Sequence, residues 1–174
     1  MSLSHFIPIF AVRRGRNKFC YYTGLSFVVG FWTCSRSGSI FYHATISRMD
    51  KVTISTTVRS HPQLPYTEIK NVILGKEYML SLSFIGTTRA KKINESTCNK
   101  SYVPNVLSFP LTPTCGEIYI TPVQAQKEAS KFDLSPQGYI GFLYIHGLLH
   151  LKGLTHGSQM DTKEKQYLKK FNLT

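Results

Sequence analysis

One nearly all-apolar segment limits what this chain can fold into. Residues 138–152 read GYIGFLYIHGLLHLK, preceded by Ser135 and Pro136 and followed by Gly153. Serine is favoured as an N-cap, proline at the first helical position and glycine just after the last turn. The pattern predicts a helix that starts at Pro136 and stops at Gly153. Because it is apolar on most faces, this helix is expected to lie in the core.

Three histidines lie on this helix or just after it. His146 and His150 are four positions apart, so they share one helix face, and a turn at Gly153 can bring His156 back to the same point. Three converging imidazoles that leave a fourth position for water are typical of a catalytic zinc site. The alternative is a set of hydrogen-bonded core histidines, but polar neighbours are few. The sequence therefore predicts that the three histidines bind one metal ion.

The position after the first histidine argues against one class of zinc enzyme. The spacing H-x3-H-x2-G-x2-H matches that of metzincin peptidases, in which a glutamate directly follows the first histidine and activates the water on zinc. Here that position is Gly147. The pattern thus indicates a metal site without the usual peptidase chemistry.

From Met49 onward, the chain alternates short strands and helices. The clearest strand is 78–86, where Leu80, Leu82 and Phe84 share one face. The other predicted strands are 51–59, the VLSFP segment closed by Pro110, and 116–122; the other predicted helices are 67–74, 87–94, 124–132 and 158–171. Together these elements predict a single α+β domain with about four strands and about five helices, and with the histidine helix buried at its centre.

The net charge of the chain indicates which class of molecule it is suited to bind. Lys and Arg number 21 against 9 Asp and Glu, which gives +12 with neutral histidines. Such a balance suits a polyanion, most often a nucleic acid, although many small basic proteins bind none.

Residues 1–48 differ from the rest of the chain, because they carry six basic residues and no acid. Three interpretations are open: a targeting segment, a basic extension that touches RNA, or a mis-assigned start with translation beginning at Met49. The shift in composition favours the third, with the folded domain spanning 49–174. The apolar stretch 19–34 is short for a membrane span, which needs about 20 residues, so no membrane partner is expected.

Cysteine usage adds little. The four cysteines show neither a CxxC pair nor metal-ligand spacing, and a reduced cytoplasmic setting is the simplest expectation. They are Cys20, Cys34, Cys98 and Cys115.

The motif HGLLHLKGLTH, preceded upstream by PNVLSFP and GEIYI, resembles the YbeY family of bacterial metal-dependent endoribonucleases. The resemblance covers about residues 49–174. It implies a mixed sheet flanked by helices, with zinc (Zn2+, one ion per chain) held by the three histidines. It further implies that the protein binds single-stranded RNA beside the metal. The implied role is in 16S rRNA 3′-end maturation and quality control of the small ribosomal subunit.

Three positions depart from the family pattern. The family usually carries an arginine before VLSFP, where this chain has Cys98, and an aspartate before the third histidine, where it has Thr155. Glu117 replaces aspartate in the strand motif, which is a milder change. The first two departures favour an alternative function, a ribosome-associated RNA-binding factor with a structural metal and weak or lost cleavage.

Several other side chains are candidates for RNA contact. A basic cluster on the 87–94 helix and nearby residues could meet phosphates, and aromatic rings could stack on bases, although a solvated helix face and core packing are the simpler interpretations. The predicted contacts are Arg89, Lys91, Lys92, Lys100, Asn105 and Ser108; the aromatic candidates are Tyr102, Phe109 and Tyr119. The sequence leaves the oligomeric state open.

Overall fold

Four strands form one mixed sheet in the computed structural model, which describes residues 51–59 and 61–173. The strands are β1 (Val52–Thr56), β2 (Met79–Phe84), β3 (Val106–Thr112) and β4 (Cys115–Ile120). Their order is β1-β2-β4-β3, with β1, β2 and β4 parallel and β3 antiparallel to β4. The predicted mixed sheet is confirmed, whereas the interpretations of residues 1–48 fall outside the described residues.

The alternation predicted for β2 is present in the structure. Leu80, Leu82 and Phe84 are buried, whereas Met79 on the opposite face is 52% exposed. One face of this central strand therefore packs on the core while the other meets solvent, which is what a period of two residues produces.

Five α-helices and one 3-10 helix accompany the sheet in the described part of the chain. They are α1 (Tyr66–Leu74), α2 (Thr87–Cys98), α3 (Pro122–Glu128), α4 (Pro136–Leu151) and α5 (Ser158–Lys170), with the 3-10 turn at Ala129–Phe132. None of these helices is both long and apolar enough to cross a membrane.

Helix α4 occupies the centre of the fold. Twelve of its sixteen residues are buried, and it packs against α1, α3, α5, β3 and β4. The Ser135 side chain accepts a hydrogen bond from the Gly138 amide at 3.0 Å, as its predicted N-cap role requires. After Leu151 the chain turns at Gly153, whose φ of 95° lies in the left-handed region that favours glycine.

Several predicted boundaries were wrong, and the first strand ends three residues earlier than expected. Strand β3 does not close at Pro110 but continues to Thr112, with an irregular register between these residues. Proline is tolerated there because β3 is an edge strand. Helix α2 runs on from Asn94 to Cys98 and ends at the left-handed Asn99, while the buried Asn94 side chain donates to the Tyr102 carbonyl at 3.0 Å.

The predicted helix over 124–132 also changes type within its length. Its first part is α3, and the remainder is the 3-10 turn, which ends at Asp133 with a left-handed φ of 54°. The tighter turn places Phe132 in ring contact with Tyr139 of α4, at 4.8 Å between centroids.

Replacing the N-cap of α4 is expected to destabilise the whole domain. Ser135→Ala removes the acceptor for the Gly138 amide and should lower the free energy of unfolding by about 1 kcal/mol. Urea denaturation measures this change. Ser158→Ala at the exposed start of α5, where no side chain caps the helix, is the control and should change stability by less than about 0.5 kcal/mol. Equal losses in the two variants would contradict a specific cap at Ser135.

Candidate metal centre

The three histidines converge as their spacing predicted. One potential ligand atom from each of His146, His150 and His156 lies within 4.8 Å of the others. The Nε2 atoms of His146 and His150 are 2.9 Å apart across one turn of α4. Among the described residues, this is the group of histidine, cysteine or acidic side chains that could hold a metal ion.

Hydrogen bonds at Nδ1 of His146 and His150 determine which ring nitrogen carries the proton and which has a lone pair for a metal. His150 Nδ1 lies 2.8 Å from the Leu154 carbonyl, and His146 Nδ1 lies 2.7 Å from Glu164 Oε1. A carbonyl oxygen can only accept, so His150 Nδ1 carries the proton, and an ionised Glu164 imposes the same tautomer on His146. Both Nε2 atoms then present lone pairs to the same point.

Two lone pairs 2.9 Å apart repel each other unless a proton or a cation lies between them. At Zn–N distances of about 2.0–2.1 Å, tetrahedral geometry separates two ligand nitrogens by roughly 3.3 Å. The spacings in the cluster are close to this value for one pair and extend to 4.8 Å for the set. The donor set therefore fits a divalent cation with three imidazole ligands.

Burial keeps the imidazoles of His146 and His150 neutral. Desolvation, followed by the neighbouring histidines, lowers the pKa of His146 to about 3 and the pKa of His150 to about 4. Neutral imidazole is the form that binds a metal. Exposure increases from His146, which is 2% exposed, through the half-buried His150 to the exposed His156, so the cluster opens to solvent on the His156 side.

Glu164 is a residue of the site that the sequence analysis missed. It lies on α5 and is 8% exposed, and burial raises the pKa of its carboxyl to about 7, with the nearby Asp161 as the second cause. A signal was present in the sequence. Met160, Glu164 and Leu168 form one buried stripe at helical spacing, and an acid in an otherwise apolar stripe needs a partner.

The packing of Gly147 explains why no acid follows the first histidine. A Cβ atom at this position would lie 3.1 Å from Ile118 Cδ1, because this face of α4 rests against β4. A carboxylate at residue 147 would be pressed against an apolar side chain of the sheet rather than directed at the cluster. The acid that contacts the site comes instead from α5.

The basic cluster predicted on α2 is exposed. Arg89, Lys91 and Lys92 all face solvent, and Lys91 lies 3.8 Å from Glu95 in an ion pair one helical turn away. Arg89 and Lys92 are three positions apart and therefore share one side of the helix. RNA binding by this cluster stays a prediction.

The remaining RNA candidates have different surroundings. The Lys100 ammonium lies 5.8 Å from the centre of the Tyr102 ring. The Asn105 amide is engaged within the protein, donating to Glu128 Oε2 at 2.7 Å and to the Tyr139 hydroxyl at 3.2 Å. Ser108 is half-buried in β3. Asn105 thus has a structural role that does not depend on any contact with RNA.

Two of the aromatic candidates pack on each other. Phe109 and Tyr119 make an edge-to-face contact at 6.0 Å, and the Tyr119 hydroxyl donates to Glu117 at 3.0 Å. Tyr102 is 43% exposed and is the aromatic candidate whose ring is most open to solvent.

The departures from the family pattern lie outside the two hydrogen bonds that orient His146 and His150. Cys98 is half-buried at the end of α2, with its Sγ 3.2 Å from Thr97 Oγ1. Thr155 is exposed between the Leu154 carbonyl and His156. Because the acceptor for His150 is a backbone carbonyl, it does not depend on which side chain residue 155 carries.

Comparison with known proteins decides the family. A family model described as Endoribonuclease YbeY matches residues 46–172, which is most of the chain. The chain belongs to the YbeY family. The match includes the three histidines, the VLSFP segment and β4.

Individual relatives agree with this assignment. Endoribonuclease YbeY of Mesoplasma florum is 33% identical over 113 residues, covering 59% of this chain and 64% of that protein, so the chain spans less than two thirds of that relative. Endoribonuclease YbeY of Nautilia profundicola is 35% identical over 113 residues, covering 61% of this chain and 80% of that protein. The solution structure of TM1509 from Thermotoga maritima matches with a TM-score of 0.52 at 25% identity, covering 68% of this chain and 87% of that one.

An acid placed after the first histidine is expected to damage the fold. Gly147→Glu puts a carboxylate against Ile118 and should lower the free energy of unfolding by more than about 2 kcal/mol, through overpacking and burial of a charge. Chemical denaturation of the metal-free protein measures this loss.

The matched control is Gly147→Ala. Its methyl group requires Ile118 to shift by a few tenths of an ångström, and the better helix propensity of alanine, about 1 kcal/mol, offsets that cost. If the glutamate variant proves as stable as wild type, Gly147 does not pack against β4 in the way described.

Proposed function

We propose that this protein is a zinc-dependent endoribonuclease that cuts single-stranded RNA in the 3′-end maturation of 16S rRNA and in quality control of the small ribosomal subunit. The observation that carries the proposal is the convergence of three histidines in a chain of the YbeY family. The names of its relatives, Endoribonuclease YbeY, support the reaction class.

The site's chemistry follows from its residues. His146, His150 and His156 would hold the ion. When bound, zinc would supply Lewis-acid chemistry, lowering the pKa of a water toward ~7 or polarising a phosphoryl oxygen. Leu154 and Glu164 orient two of the rings from behind, and the exposed side near His156 is where a strand of RNA has access.

The partners we propose are single-stranded rRNA and the small subunit, in the cytoplasm. The net charge of +12 supports a polyanionic partner, because basic side chains can neutralise backbone phosphates. Such side chains would also offset the negative charge that develops on a phosphate during cleavage.

A second function is supported by two residues. Cys98 and Thr155 stand where the family usually carries arginine and aspartate. The alternative is therefore a ribosome-associated RNA-binding factor in which the metal is structural and cleavage is weak or lost. Lys100, two residues after Cys98, can supply a charge but not the bidentate fork of an arginine.

Loss of one ligand is expected to abolish cleavage. The zinc-loaded full chain is incubated with a single-stranded RNA from the 3′ end of small-subunit rRNA, beside His150→Ala and Cys98→Arg. Wild type should cut the RNA. His150→Ala should be inactive, because only two imidazoles remain and they are too few to hold the ion. Gel analysis of the products, with a fully double-stranded RNA as the control substrate, measures the activity.

The arginine variant separates the two functions. If Cys98→Arg cuts and wild type does not, the metal site is competent but the wild-type chain lacks the group that holds the phosphate, and the RNA-binding factor is the better description. Zinc content measured on the same samples shows whether an inactive variant has also lost its metal. Cleavage by His150→Ala at the wild-type rate would rule out a catalytic metal held by the three histidines.

Removing the basic cluster of α2 is expected to weaken RNA binding. The triple change Arg89→Ala, Lys91→Ala and Lys92→Ala should reduce affinity and make its dependence on salt shallower, by about 0.7 in log–log slope for each backbone phosphate that the cluster neutralises. Fluorescence anisotropy with a labelled single strand at several salt concentrations measures both quantities.

A variant with the same loss of charge elsewhere is the control. It replaces three exposed lysines of α5 by alanine: Lys165, Lys169 and Lys170. Equal effects of the two triple changes would mean that net charge alone matters and that the α2 cluster is a solvated helix face.

A further inference from the structure

We propose that Glu164 is a positioning residue for the metal site: its carboxylate fixes His146 in the tautomer that binds the ion, and so couples metal binding to the docking of α5. The inference rests on the metal site of the proposed function. It begins from one contact, the 2.7 Å hydrogen bond between Glu164 Oε1 and His146 Nδ1.

The tautomer matters because a neutral imidazole carries a single proton. With that proton on Nδ1, as a carboxylate acceptor requires, Nε2 of His146 is a lone pair directed toward His150 Nε2. Without the acceptor, the proton can move to Nε2, where it would block the ligand atom. His150 has a backbone acceptor at Leu154, whereas His146 depends on a side chain from another helix.

Burial of the Glu164 carboxylate carries a desolvation cost that the packing of α5 alone does not require. The residue is 8% exposed and lies between Met160 and Leu168 in the stripe that α5 packs on the core. An apolar residue of similar size would fill this place without the cost of desolvating a carboxylate. The presence of an acid at this position is therefore explained by its hydrogen bond to His146.

The same hydrogen bond joins two helices at the site. Helix α4 supplies His146 and His150, and α5 supplies the acceptor behind His146. An ion that needs the Nδ1–H tautomer of His146 strengthens the bond to Glu164. By reciprocity, metal binding then favours the docked position of α5.

The test compares variants of the full chain that differ at residue 164. Glu164→Gln retains an oxygen that can accept from Nδ1 but loses the charge, whereas Glu164→Met fills the space without an acceptor. Zinc affinity is measured by competition with a chromophoric chelator. We expect about a tenfold loss for the glutamine variant and about a hundredfold loss for the methionine variant.

The control removes a negative charge from another helix. Glu68→Gln changes an exposed acid of α1 and should leave zinc affinity within about threefold of wild type. If this control falls as far as Glu164→Gln, net charge rather than the hydrogen bond governs binding, and the inference is wrong.

Two further readouts distinguish positioning from a merely structural role. Imidazole 15N chemical shifts of the metal-free protein should show the Nδ1–H tautomer at His146 in wild type and in Glu164→Gln, and loss of that preference in Glu164→Met. Hydrogen exchange should show that zinc protects the amides of α5 in wild type and protects them less in the methionine variant, whose metal-free stability should equal or exceed that of wild type.

The outcomes separate this inference from the proposed function. A wild-type chain that fails to bind zinc overturns both. Zinc bound with wild-type affinity by both residue 164 variants overturns the role of Glu164 and leaves the three-histidine site standing. If Glu164→Met does not fold, the 15N shifts of the metal-free wild type still decide, because an Nε2–H tautomer at His146 contradicts the inference.

Discussion

The fold is organised around two neutral imidazoles whose Nε2 atoms face each other at 2.9 Å on a buried helix. With both rings in the Nδ1–H form, that arrangement needs a proton or a cation between the two nitrogens, since both Nε2 atoms then present lone pairs. Several features from different parts of the structure help to hold the histidines in this arrangement. The turn at Gly153 returns the Leu154 carbonyl to His150 and delivers His156, while α5 brings a carboxylate to His146. The packing of the core around α4 and the geometry of the candidate site thus depend on the same elements.

The features of α4 and of the site that could be predicted from the sequence depend on short-range rules. Ser135, Pro136 and Gly153 mark the ends of α4, and the spacing of His146 and His150 requires a shared face in any α-helix. The alternation of β2 required one buried face in the same way. Each follows from covalent geometry over a few residues. The mixed sheet, in contrast, came from resemblance to a family, because strand order and direction depend on contacts that no local pattern contains.

What was missed depends on contacts between residues far apart in the chain. Glu164 is 18 positions from His146, and only the docking of α5 brings the two together. Asn94 continues α2 rather than ending it, while its amide donates to the Tyr102 carbonyl. Pro110 is tolerated because β3 lies at the edge of the sheet, a fact about strand order. In each case a residue that seemed unsuited to its element was acceptable because of its tertiary surroundings, which no local pattern contains.

The contacts that orient two of the histidines are separate from the positions that depart from the family pattern. The groups that orient the rings are a backbone carbonyl at Leu154 and the Glu164 carboxylate, and neither depends on Cys98 or Thr155. Neither departure removes one of these two hydrogen bonds. A substitution at residue 98 or 155 therefore leaves the acceptors of His146 and His150 in place.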